Sequence, residues 1–291
     1  MQKPFIEDRH RDREDEELVM RARSGDRRAL ESLVHRHQGY IYNIAIRMLY
    51  HPHDADDAAQ EIIIKALTRL SSFELRSSFR TWIYRIAFNH LLNMKRGRVE
   101  SPSLDFDIYA EELAKIPDLD LSEQNEGAPE ANLIVAESKL SCTMGMLLCL
   151  DRKQRLVFIL GGILGTRDSV GAELLEISSA NFRQRLARAR SDLRNFMNDK
   201  CGLVNPRSPC RCIKKTKGFI QAGHVDPENL LFHREYICEI RDAAPDIYDA
   251  VGALDTKISD LYRRHPFYQP SDLRQMLKEL FDSDIFQTQP M

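Results

Sequence analysis

From Asp15 to about Arg98 the apolar residues return at the spacing of an α-helix with hardly a break, and no stretch alternates as a strand would. Leu30, Leu33, Val34, His37, Ile41, Ile44, Ala45 and Met48 share one helical face, behind a break at Gly25 and an N-cap at Asp26. His51-Pro52 ends that helix, and Asp54 is expected to cap the next. The inner face of this second helix carries Ala58, Ala59, Ile62, Ile63, Ala66, Leu67 and Leu70. A third helix follows in SSFRTWIYRIAFNHLLNMKRGR, Ser77 to Arg98, with Phe79, Ile83, Ile86, Ala87 and Leu91 expected inside. A chain patterned this way packs helix on helix. The fold class expected is all-α, with residues 15–98 forming one compact domain.

That third stretch sets aromatic residues among cations, holds the chain's 1 Trp, and contains no acidic residue. The whole chain is nearly neutral, with a formal net charge of -2, so a nucleic-acid function would have to reside in local patches such as this one. The first residues, MQKPFIEDRHRDREDEE, are charged and lack the apolar core of a secretory signal. The longest apolar run, Leu156 to Gly165, is far shorter than the roughly 20 residues that span a bilayer. A cytoplasmic protein with no membrane partner is expected, and its 6 Cys are expected as reduced thiols or metal ligands rather than disulfides.

Between the helical patterns lies an acidic segment. From Glu100 to Glu130 ten acids face the single cation Lys115 among Pro and Gly, a composition that cannot bury enough surface to fold alone. Residues 99–130 are therefore expected to be a flexible acidic linker. A second helical unit, 131–198, ends in GTRDSVGAELLEISSANFRQRLARARSDLR: a short helix, a turn at Glu176-Ile177-Ser178, and a longer helix rich in Arg. This is the layout of a helix-turn-helix, with Phe182, Leu186, Ala189 and Leu193 facing inward. The remainder, 199–291, opens on a Pro/Cys/Lys-rich run. Helical patterns follow at Asn229 to Arg241 and at Ser271 to Phe281, the latter with an apolar stripe of Leu273, Met276, Leu277 and Leu280.

Read together, HDADDAAQEIIIKAL, SSFRTWIYRIAFN, a polar linker, LDRKQRLVFIL and ISSANFRQRLARARSDL resemble the extracytoplasmic-function group of bacterial sigma factors, within the sigma-seventy superfamily. The resemblance covers roughly Asp15 to Asn198. It implies that the first unit is sigma region 2, which binds core RNA polymerase and opens the −10 promoter element. The second is then sigma region 4, which reads the −35 element. By the same resemblance Asp57, Gln60 and Glu61 meet a basic helix of the polymerase. A plainer reading of Glu61 is a pair with Lys65 one turn on. Phe73, Arg80, Trp82, Tyr84, Arg85, Asn89, Lys95 and Arg96 are the −10 candidates. Stacking on an aromatic returns about 1–3 kcal/mol per unpaired base, and cations neutralise the strand's phosphates. Core aromatics are the plainer reading of Phe79, Trp82 and Tyr84. The −35 candidates are Ser179, Asn181, Arg183, Gln184, Arg185 and Arg188, since Arg can grip guanine and Gln adenine. Val170-Gly171 departs from the family pattern, and a glycine there is expected to loosen the supporting helix.

The extension after 198 is expected to be an accessory module. Cys201, Cys210 and Cys212, with His224, His233 and Cys238 downstream, are ligand types for a structural zinc, but their spacing lacks the paired CxxC of common zinc fingers. No cofactor is expected, with that zinc as the alternative. Core polymerase and promoter DNA are the partners implied, with an anti-sigma factor as a further one. The rival reading is a stand-alone helix-turn-helix regulator that binds duplex DNA without polymerase. No catalytic triad points to an enzyme.

Overall fold

The computed structural model describes residues 9–95, 104–119, 129–232, 254–270, 273 and 276–279. Among these there are helices and no strands, apart from an isolated bridge between Cys201 and Cys210. The first unit is α1 (Arg9–Arg23), α2 (Arg27–Leu49), α3 (Pro52–Thr68) and α4 (Phe79–Asn93). Asp26 caps α2 as expected, accepting the N–H groups of Arg28 and Ala29 at 3.0 and 3.2 Å. At α3 the expectation fails by three residues: Pro52 opens the helix, His51 is its cap, and Asp54 lies in the first turn. Proline fits there because its missing N–H would be unpaired anyway, while a carboxylate in the first turn suits the helix dipole. Ser78 caps α4 through the Thr81 N–H.

The acidic segment is not wholly a tether. Asp105 caps α5 (Phe106–Lys115), whose Phe106 and Tyr109 rings lie 5.2 and 5.8 Å from that of Phe196. Tyr109 also donates its hydroxyl to the Cys142 carbonyl at 2.9 Å. Leu113 and Ile116 pack with Phe219 and Val225. Composition was right that this segment lacks a core of its own, yet its few apolar residues sit at helical spacing and borrow one.

The second unit comprises α6 (Pro129–Leu148), α7 (Arg152–Val157) running into a π-turn (Phe158–Ile163), α8 (Asp168–Leu174) and α9 (Ser179–Lys200). Gly171 does not loosen α8. A Cβ there would lie 2.4 Å from the Phe182 ring, so the missing side chain is what lets α8 close on α9. Arg155, 1% exposed, ties the units together. It donates to the carbonyls of Leu147, Leu148 and Leu150 at 2.8, 3.0 and 3.0 Å, and to that of Met48 on α2.

In the extension, α10 (Cys212–Gln221) and α11 (Leu254–Arg263) are helical. Asn229 to Phe232 is not, against expectation, because Asp226 holds a turn there by accepting from Glu228 and Asn229; residues 233–241 lie outside the described residues. The expected second stripe is present where described, with Leu273 and Leu277 buried and Met276 half-buried. Buried residues of both units and of this extension form one continuous core. Among the described residues no helix is long and apolar enough to cross a membrane.

Candidate functional site

Because Ala55, Ala58, Ala59, Ile62, Ile63, Ala66 and Leu67 of α3 are buried, the helical period turns its acids outward. The side chains of Asp57 and Glu61 are 59% and 62% exposed, and Gln60 between them is half-buried. Each acid has a partner one turn away: His53 at 3.1 Å from Asp57, and Lys65 at 3.5 Å from Glu61. The plainer reading of Glu61 is thus present as a contact. Exposed pairs of this kind hold only about 0.2–1 kcal/mol, so a basic partner surface can displace them.

Beside this face, between α3 and α4, lies a cleft of about 630 Å³ lined by Glu61, Lys65, Arg69, Asn89, Asn93 and Lys95, with Ile86, His90 and Met94 in its walls. Lys65 donates to His90 Nδ1 at 2.6 Å, which puts the imidazole proton on Nε2, facing the Glu61 carboxylate at 3.7 Å. Burial lowers the His90 pKa and the Lys65 charge lowers it further, so the ring is neutral. The cleft therefore offers amides and cations together, chemistry suited to a base edge and its phosphate. Asn89 and Lys95 were expected here. Lys65, Arg69, His90 and Asn93 were missed, though the four-residue spacing of Glu61, Lys65 and Arg69, and of Asn89 and Asn93, places each set on one helical face.

The aromatic platform is smaller than expected. Tyr84 is 0% exposed and Phe73 2%, so neither can meet a strand. Tyr84 lies under the α2 side of the helix, edge-on to His37 at 6.0 Å. Phe73 is held inward by Arg23, whose guanidinium binds the carbonyls of Leu70, Ser71 and Phe73. Trp82 is half-buried, its ring 5.3 and 5.6 Å from those of Phe73 and Phe79. It is a supported, partly open aromatic. Arg80 pairs with Asp12 at 3.2 Å, and Arg85 reaches Glu173 of α8. Arg96 lies outside the described residues.

Ser178 caps α9 by accepting the Asn181 N–H at 3.2 Å, and Phe182, Leu186, Ala189 and Leu193 face the core. Arg183, Gln184 and Arg188 are exposed on the opposite side, with Ser179, Asn181 and Arg185 half-exposed around them. The helix thus presents a polar, cationic face of the kind that enters a major groove.

Zinc was the alternative reading of Cys201, Cys210 and Cys212. Among the described residues no group of three or more His, Cys, Asp and Glu side chains could hold a metal ion. Burial pushes the Cys201 thiol up to about 11 and that of Cys212 up to about 12, so both stand as protonated thiols. His233 and Cys238 lie outside the described residues.

Residues 33–100 match the family model for sigma-70 region 2. The ECF RNA polymerase sigma factor SigW of Bacillus subtilis is 30% identical over 183 residues, covering 62% of this chain and 95% of that protein. The ECF RNA polymerase sigma-E factor of Escherichia coli K12 is 32% identical over 185 residues, covering 62% and 93%. The RNA polymerase sigma-H factor of Pseudomonas aeruginosa is 39% identical over 99 residues, 34% of this chain and 51% of that protein.

Proposed function

The chain belongs to the extracytoplasmic-function (ECF) RNA polymerase sigma factors, and from that membership we propose how its surfaces divide the work of directing polymerase to promoters. The outward face of α3, with Asp57, Gln60 and Glu61, docks on a basic helix of core polymerase. Opposite charges there favour orientation and a fast on-rate more than affinity. The cleft between α3 and α4 receives an unpaired −10 base, with Asn89 at its edge and Trp82 as a neighbouring stacking surface. Arg183, Gln184 and Arg188 on α9 read the −35 duplex. The observation that carries this reading is the cleft itself: it opens directly beside the acidic face, so the group on α3 that grips polymerase and the group on α4 that holds a base stand side by side.

Run-off transcription with purified core polymerase tests it. A promoter-specificity subunit starts RNA with core alone, which a stand-alone regulator cannot do. Reversing Asp57 and Glu61 to Lys together is expected to abolish co-purification with core and the transcript with it. Survival of both would remove α3 from the docking surface.

A further inference from the structure

The stretch that begins at α11 crosses from one unit to the other. On α2, Gly39, Asn43 and Arg47 stand four residues apart and share one face. The strap that follows α11 lies on that face. Asn43 donates its amide to the Tyr268 carbonyl at 2.6 Å and accepts the Tyr268 N–H at 2.9 Å, a two-way pairing that fixes the strap's register. Arg47, 2% exposed, donates to the Pro266 carbonyl at 3.2 Å, and its guanidinium carbon lies 5.9 Å from the centre of the Tyr268 ring. The Phe267 ring covers Gly39 so closely that a Cβ there would come within 3.2 Å of it. The same segment is anchored on the second unit. Tyr262 donates to the Thr143 carbonyl at 3.0 Å, and Arg263 to that of Ile163 at 3.3 Å.

The two units also touch directly. Arg85, one of the −10 candidates, donates to the Glu173 carbonyl at 3.2 Å and lies 3.5 Å from its carboxylate, so the supporting helix of the −35 reader occupies a −10 cation. Arg152 caps the last carbonyls of α4, at 2.5 Å from that of Met94. Size makes this arrangement matter. A compact chain of this length has a radius of gyration of about 19 Å, hence a diameter of about 50 Å. Elements about 25 base pairs apart stand about 85 Å apart at about 3.4 Å per pair. The closed body cannot read both at once.

Resting on the promoter-specificity reading, we propose that the strap from His265 to Tyr268 is an intramolecular latch: seated on Gly39, Asn43 and Arg47, it holds the two units closed, and its release precedes promoter recognition. Full-length chains carrying Gly39→Leu or Asn43→Ala test this. The first drives a wedge under Phe267 with a residue that suits a helix better than glycine, and the second removes the paired bonds. Energy transfer between probes at the exposed positions Thr68 and Lys200 reads the closed form, and run-off transcription at limiting chain with excess core reads its consequence. The wild type is expected at one short distance. Either variant is expected to add a longer-distance population and to raise transcript yield at least about fivefold, as loss of two buried hydrogen bonds would allow. Wild-type distances and yield in both folded variants overturn the latch while leaving the promoter reading intact. No transcript from any version, with opening in the variants, overturns the promoter reading and the latch's regulatory role with it.

Discussion

Gly171 is the clearest case of one residue whose reason lies outside its own helix. In isolation a glycine in α8 is a weakness of about 1 kcal/mol relative to alanine, and the sequence supports no other reading. Packing reverses the sign, because the Phe182 ring stands where a Cβ would go. Gly171→Ala is therefore expected to destabilise the fold by about 1–3 kcal/mol, the usual cost of overpacking, rather than stabilise it. Urea denaturation decides: a midpoint that rises in the variant contradicts the close approach of α8 to α9. Tyr84 and Phe73 teach the complementary lesson. Helical spacing gave Phe79, Ile83, Ile86, Ala87 and Leu91 as the inner face of α4, and all are buried except Ile86, which is half-buried in the wall of the cleft. Whether a flanking aromatic on so broad a face turns in or out depends on what packs beside it, here α1 and α2, which periodicity within α4 does not encode. Trp82, at the margin of that face, is the aromatic left partly open.

At the scale of elements, helix existence was written plainly in the apolar period, and a helix end was legible where a side chain made the cap, as at Asp26. The end at Pro52 was misplaced because Asp54 has a cap's chemistry but stands inside the first turn. The acidic segment was misread for a different reason. Averaged composition hid Phe106, Tyr109, Leu113 and Ile116, which recur at helical spacing and dock on α6, α9 and α10. Docking should protect the acids of α5 from cleavage. Limited digestion with a glutamate-specific protease is expected to leave Glu111 and Glu112 uncut in the folded chain and to cut them readily in Tyr109→Ala. Equal cleavage in both would show that α5 is not held. The cleft was half legible: Asn89 and Lys95 came from α4 and its end alone, whereas Lys65 and Arg69 belong to it only through the crossing of α3 with α4.

Over the whole molecule, the feature least visible in the sequence is closure, because the bonds that make it join residues as distant as Asn43 and Tyr268. Two buried titratable groups at these contacts give it an opposed pH dependence. Glu137 on α6 accepts the N–H groups of Leu231 and Phe232, yet burial pushes its carboxyl up to about 7 from 4.5. The folded chain keeps a proton that the unfolded chain has released, so this group lowers stability as pH rises from about 4.5 to about 7. His265, 3.1 Å from the Thr143 hydroxyl, is pushed down to about 3 from 6.5, by burial first and by the Arg47 charge second. That group lowers stability as pH falls from about 6.5 towards 3. The two slopes offset each other where they overlap. Glu137→Gln removes one, so the stability difference between wild type and variant is expected to shrink in the wild type's disfavour, by roughly 3 kcal/mol at most, as pH rises from 4.5 to 7. Parallel curves from denaturant titrations at each pH would refute the burial of a protonated Glu137. The account as a whole rests on α3 and α4 acting together, one gripping polymerase and the other holding an opened strand. Permanganate reactivity of thymines in the −10 element, with core polymerase and either the wild-type chain or Trp82→Ala, tests that most directly. The account predicts reactive, unpaired thymines with the wild type and a loss of reactivity of at least about fivefold with the variant, core binding being retained; undiminished reactivity with Trp82→Ala would contradict it.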